Sequence, residues 1–202
     1  MDRRSHWEQV HGTKGEREVS WYEEDPRVSL ELIAGVAGQG SWIVDVGGGR
    51  SYLAERLVGL GYRHVAVVDI ASNALDAVRD RMGELAERVR WIVADVAKEL
   101  EIGEFDVWHD RAVFHFLTEA GDRQHYVELL CRSVPIGGHV ILGAFGKSGP
   151  ERCSGLEIVQ YDRVGLEEAL GGSFRWLRGL EHLHTTPSGK VQQFTFGVFE
   201  RR

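Results

Sequence analysis

Three consecutive glycines, Gly47-Gly48-Gly49, join the apolar run "SWIVDV" (41–46) to "SYLAERLVGL" (51–60), whose Leu53, Leu57 and Leu60 recur at helical spacing. An apolar run that passes through glycine into a helix-period stripe is a strand–turn–helix unit. Glycine accepts positive φ and lets the main chain approach a ligand closely. The feature confines the chain to folds in which strands hand over to helices at one edge of a sheet, with a ligand expected at that edge.

The same alternation continues. Strands are expected at "HVAVVDI" (64–70), "VRWIVADV" (89–96), "FDVWHD" (105–110) and "GHVILGAFG" (138–146). Helices are expected at "SLELIAGV" after Pro26, "NALDAVRDRMGEL" (73–85), "DRQHYVELLCRSV" (122–134) and "DRVGLEEAL" (162–170). Strands that are apolar throughout and separated by helices belong to a parallel sheet covered on both faces. The last two runs, "FRWLRGLEHLH" and "QQFTFGVFER", are joined by "TTPSGK" with no helix between them, so they form an antiparallel hairpin at the sheet edge. The expected fold is α/β: doubly wound, a mostly parallel seven-stranded sheet with a C-terminal antiparallel hairpin and helices on both faces. It is read as a single domain over 1–202, with 1–30 as an N-terminal lid or cap segment.

Composition narrows the partners. The chain has 202 residues, 43% of them hydrophobic, enough for one sizeable core. A formal net charge of -7 repels phosphate backbones, so no nucleic acid is expected. The two cysteines, Cys131 and Cys153, have no CxxC spacing, which disfavours a disulfide framework or a zinc site. No apolar run reaches the length of a membrane span and the N-terminal stretch lacks a signal-peptide core, so no membrane partner and a cytoplasmic location are expected.

The glycine loop excludes several ligands. G-x-G-x-x-G would need glycine at Tyr52 or Ala54, no G-K-[ST] follows, and no tyrosine has a lysine four residues on. Acids stand at three successive strand ends instead: Asp45, Asp69 and Asp95. An acid before the glycines suits a cationic ligand and would repel a pyrophosphate. An acid at the end of the second strand, Asp69, can accept from both hydroxyls of a ribose.

Asp45-x-Gly47-x-Gly49 resembles motif I of the class I S-adenosylmethionine-dependent methyltransferases, with Ser51 where that family usually has its last glycine. "SWYEEDP" (20–26), "FDVWHDRAVFHFL" and the stretches after Pro150 and Glu181 are similar to small bacterial methyltransferases of the methyltransferase 12 and thiopurine methyltransferase-like subgroup. The resemblance implies S-adenosyl-L-methionine as cofactor. It places Gly47, Gly48 and Gly49 against the methionine part, Asp45 toward its ammonium, and Asp69 with Ile70 at the ribose. Asp95 with Val96 would lie at the adenine, and Trp21 would pack over the cofactor. Asp110 would border the transferred methyl, with His115 as a catalytic or substrate-binding residue.

Each residue also has a plainer reading. Asp110 can cap the following turn and His115 can be a core histidine. His109, Arg152, Cys153, His182 and His184 are weaker candidates for the pocket. A metal site from His109, Asp110 and His115 would need ligands to converge across a strand and a turn, and no metal is expected. The expected activity is methyl transfer to a small-molecule acceptor such as a thiol, amine or carboxylate. A protein-lysine methyltransferase and a non-catalytic S-adenosylmethionine-binding module are the alternatives.

Overall fold

A computed structural model describes residues 2–98 and 100–202. Five parallel strands form most of the sheet: β1 (Trp42–Val46), β2 (His64–Asp69), β3 (Val89–Val93), β4 (Val107–Arg111) and β5 (His139–Phe145). Two short strands, β6 (Arg152–Cys153) and β7 (Leu156–Glu157), pair with each other. The long strands β8 (Phe174–Thr185) and β9 (Val191–Arg201) complete the main sheet, whose order is β3-β2-β1-β4-β5-β9-β8. β9 runs antiparallel between β5 and β8, which is the hairpin expected from the missing helix.

Helices cover both faces. The helices α2 (Arg27–Ala34), α3 (Leu53–Gly59) and α4 (Ser72–Met82) bury Leu32, Ile33, Leu57, Leu75 and Val78 on one face, against Ile43, Val65 and Ile141. The helices α5 (Ala120–Ser133) and α6 (Arg163–Leu170) bury Tyr126, Leu129, Leu130 and Leu166 on the other, against Val44, Trp108 and Leu142. Alternate residues of each strand thus serve two cores, as period-2 geometry requires. β1 lies between β2 and β4, so chain connections leave it in opposite directions along the sheet. That reversal opens a crevice beyond the carboxyl ends of the strands.

Two elements were not expected from sequence. The first is α1 (Arg3–Thr13), inside the segment read only as a lid. Asp2 caps it, its carboxylate accepting the Ser5 amide at 3.0 Å. Val10 and His11 are its buried residues, and the Asn73 side chain donates to the Glu8 carbonyl at 2.8 Å, tying α1 to α4. The second is the β6–β7 ribbon, turned by Ser154 (φ 49°) and Gly155 (φ 81°). Two successive positive φ values suit a tight two-residue hairpin turn.

Strand β4 is displaced along the chain from its expected range. It begins at Val107 and ends at Arg111 rather than running from Phe105 to Asp110. The displacement matters because side chains alternate: His109 and Arg111 lie on one face of β4 and Asp110 on the other.

Candidate functional site

A cavity of about 830 Å³, counting its open mouth, occupies the crevice above β1–β4. Its floor comes from the strand ends and the loops that follow: Val46, Gly47, Gly49, Asp69, Ile70, Asp95 and Val96. Arg3, Trp7 and His11 of α1 form one wall together with Trp21, and Phe116 and Cys153 complete the enclosure. A second cavity adjoins it, lined by Glu23, Ser29, Asp45, Gly48, Arg50 and His109, and shares Trp21, Gly47 and Arg111 with the first.

The glycine turn is built by close approach. Gly47 has φ +66°, and a Cβ there would lie 1.9 Å from Val113 Cγ2. A Cβ on Gly48 would lie 2.5 Å from Val67 Cγ1. Gly49 has φ +46°, and its amide donates to Asp69 Oδ2 at 2.8 Å. The other Asp69 oxygen accepts the Ala71 amide at 2.8 Å. Burial raises the Asp69 carboxyl to about 6, against the opposing pull of these amides. Asp69 keeps free lone pairs that additional donors in the cavity can use.

At the third strand end, Asp95 accepts the Ala97 amide at 3.0 Å and lies 3.6 Å from the Arg3 guanidinium. Arg3 also pairs with Asp122. Above them Trp7 meets Phe116 and Trp21 edge-on, with ring centroids 5.0 and 5.9 Å apart. His11 is buried, which lowers its pKa to about 4 and keeps the ring uncharged near neutrality.

Asp45 is turned toward the second cavity. Its Oδ1 lies 2.7 Å from His109 Nδ1, and His109 Nε2 lies 2.9 Å from the Ser29 hydroxyl. Asp45 and His109 face each other in the β1–β4 register, so adjacent strands fix the pair. Arg111 lies between the cavities, donating to the Trp21 carbonyl at 3.0 Å and standing 3.1 Å from Glu23 Oε1.

Two expected site residues lie elsewhere. Asp110 is fully buried on the α5 side of β4 and lines neither cavity. Its carboxylate accepts the Val113 and Phe114 amides at 2.9 and 3.1 Å and the Tyr126 hydroxyl at 2.5 Å. Strand parity turns Asp110 toward α5, and Arg111 faces the crevice instead. His115 also lines neither cavity. Its Nδ1 accepts the Phe145 amide at 3.2 Å, its ring packs on Phe116 and Phe145, and burial lowers its pKa to about 3. An enclosed histidine that accepts a strand-end amide fits the core reading of His115 rather than direct contact with the crevice. Because His109 and Asp110 face opposite ways, the trio with His115 does not converge. Ile70, Val96, Trp21 and Cys153 do reach the crevice wall, whereas Arg152 is exposed. His182 and His184 meet Glu23 beside Arg111.

Sequence reasoning missed Arg3, Trp7 and His11. The Asp2–Ser5 cap and the spacing of Trp7, Val10 and His11 were the available signal.

The fold has known counterparts. Residues 43–138 match the family model described as a methyltransferase domain. A solved S-adenosylmethionine-dependent methyltransferase from Anabaena variabilis superposes with a TM-score of 0.78 at 15% identity, over 100% of this chain and 96% of that one. The 1,6-didemethyltoxoflavin-N1-methyltransferase of Burkholderia thailandensis, solved with its substrate and S-adenosylhomocysteine, gives 0.68 at 19% identity, over 88% and 78%. Nodulation protein S of Rhizobium tropici is 25% identical over 123 residues, 61% of this chain. The match spans about half of that relative, 51% of its length.

Residues 43–138 thus match a methyltransferase domain, and the chain has the fold of the S-adenosylmethionine-dependent class of methyltransferases. S-adenosyl-L-methionine is the cofactor of that class.

Proposed function

We propose that this protein transfers the methyl group of S-adenosyl-L-methionine to a small-molecule acceptor. The observation that carries the reading is the enclosed crevice over β1–β4, with Asp69 and Asp95 at its floor and Trp7, Trp21 and Phe116 around it. The residues suit the cofactor. Asp69 offers acceptors to ribose hydroxyls, the Asp95–Val96 step lies where an adenine edge would meet a carboxylate and main chain, and the glycine turn leaves no side chain to obstruct the ligand. Asp45 and Arg111 present opposite charges on the second cavity, and they suit the ammonium and carboxylate of the amino-acid tail. Bound there, the cofactor would supply an activated methyl on a sulfonium.

The protein's own part is alignment and exclusion of water. Displacement at a methyl needs the acceptor lone pair held in line at contact distance, and enforced proximity alone lowers such barriers by several kcal/mol. α1 and Trp21 provide the roof, and Arg111, held by Glu23, fixes one wall. The enclosure supports a compact acceptor over a folded protein surface. The neighbour from Burkholderia thailandensis is a 1,6-didemethyltoxoflavin-N1-methyltransferase, and its small-molecule acceptor supports that reading.

The test is a methyl-donor assay against thiols, amines, carboxylic acids and a lysine-rich protein, paired with calorimetry using S-adenosylhomocysteine. Transfer to one small-molecule class with cofactor binding is expected. Binding without transfer to any acceptor would favour the non-catalytic module, and transfer to the protein alone would overturn the small-molecule assignment.

A further inference from the structure

Glu23, His182 and His184 form a cluster that the methyl-transfer reading leaves unused. The two histidines are two residues apart on β8 and so present their rings on one face. Glu23 arrives from the segment before α2. One ligand atom from each, His182 Nε2, His184 Nδ1 and a Glu23 carboxylate oxygen, lies within 4.8 Å of the others. The separations from Glu23 Oε1 are 3.9 Å to His182 and 3.2 Å to His184.

The tautomer of His184 gives this cluster its meaning. Its Nε2 lies 2.7 Å from the Ser20 carbonyl oxygen, which can only accept. Nε2 is therefore the donor to that carbonyl, which leaves Nδ1 as the ring atom facing the Glu23 carboxylate. A cation seated between Nδ1 and the carboxylate, 3.2 Å apart, would be bound by both. A backbone carbonyl behind a histidine is also the usual support of a metal-ligating imidazole, because it fixes both tautomer and ring plane. Arg111 holds the same Glu23 oxygen at 3.1 Å and orients it. Its charge weighs against hard cations bound through charge alone, and two imidazoles favour a borderline transition ion over Mg²⁺ or Ca²⁺.

We propose that Glu23, His182 and His184 bind one divalent transition ion of the Zn²⁺ or Co²⁺ kind, clasping the segment that carries Trp21 to the edge strand β8. Three protein ligands leave a coordination position for water. His184 is almost fully buried while the His182 side chain is 29% exposed, which gives the ion a route in. The proposal stands independently of methyl transfer.

The probe is Co²⁺ alone, followed by its d–d absorption on the metal-free full-length protein, with Zn²⁺ calorimetry beside it. The pH is set about one unit above the ordinary histidine value. Wild type should bind one ion per chain. His184→Ala and His182→Ala should each weaken binding at least about tenfold, in line with loss of one ligand. Glu23→Gln, which keeps the shape of the side chain, should do the same with an unchanged circular dichroism spectrum. Equal binding by wild type and the His182→Ala/His184→Ala double variant would overturn the site. So would the absence of any bound Co²⁺ or Zn²⁺ in wild type, which would leave a proton on His184 as the positive centre.

Discussion

The Gly49 amide donates to Asp69 Oδ2 at 2.8 Å, so the turn after β1 and the carboxylate ending β2 form one unit. A ligand that engages the carboxylate also senses the glycine turn. With its carboxyl raised to about 6 by burial, Asp69 is only partly ionised in mildly acid solution. Ribose hydroxyls donate to the ionised form. The affinity for S-adenosylhomocysteine should therefore hold above pH 6 and fall below it, by about tenfold per pH unit where the site is protonated. Calorimetry in buffers of different ionisation enthalpy should show proton release on binding near pH 6. Asp69→Ala should abolish binding with a native circular dichroism spectrum; a pH-independent affinity would remove the ribose assignment.

Gly47→Ala should damage the turn in two ways. The new Cβ meets Val113 Cγ2, and φ +66° is unfavourable for alanine. Strain of this kind costs roughly 1–3 kcal/mol. Urea denaturation should show that loss together with weaker cofactor binding. Adding Val113→Ala relieves the contact but not the backbone, so it should restore only part of both.

Tyr126 links two buried groups, accepting from Trp108 Nε1 at 2.9 Å and donating to Asp110. Tyr126→Phe leaves the indole N–H without a partner and removes a donor from a carboxylate that burial already raises to about 6. A loss of about 1–3 kcal/mol in stability is expected, with cofactor affinity unchanged because Asp110 lines neither cavity. A selective loss of turnover instead would return Asp110 to the reacting end.

His115 tests acid stability. Burial lowers its pKa to about 3, well under the ordinary histidine value of 6.5. The folded state holds the neutral ring and the unfolded chain takes up the proton, so stability is complete above pH 6.5 and falls as the pH drops toward 3. His115→Gln removes that ionisation, so its melting temperature should fall less than that of wild type between pH 6.5 and 4. An identical slope would show that His115 is solvated.

Much of the fold was legible because hydrophobic period and glycine punctuation are local. The runs that carry Asp45 and Asp69 and that precede Asp95 are short, mostly apolar strands, and the lack of a helix between Leu183 and Gln192 announces the hairpin. The orientations of Asp110 and His115 were not legible, because alternation along β4 and the shape of the turn after it decide which side chains reach the crevice. The α1 wall was obscured by polarity: Arg3, Arg4, Glu8 and Gln9 dilute the stripe that Trp7, Val10 and His11 make. The Glu23–His182–His184 cluster joins residues some 160 positions apart, and no local pattern encodes such a meeting.

The position of β9 sets an order of assembly. It follows β8 in the chain yet lies between β8 and β5. During synthesis the flank of β5 stays open, and β8 has nothing to join, until residues 191–201 emerge. Closure of the sheet thus waits on its latest strand, and a nascent chain halted before residue 191 would present an unsealed backbone edge to its neighbours.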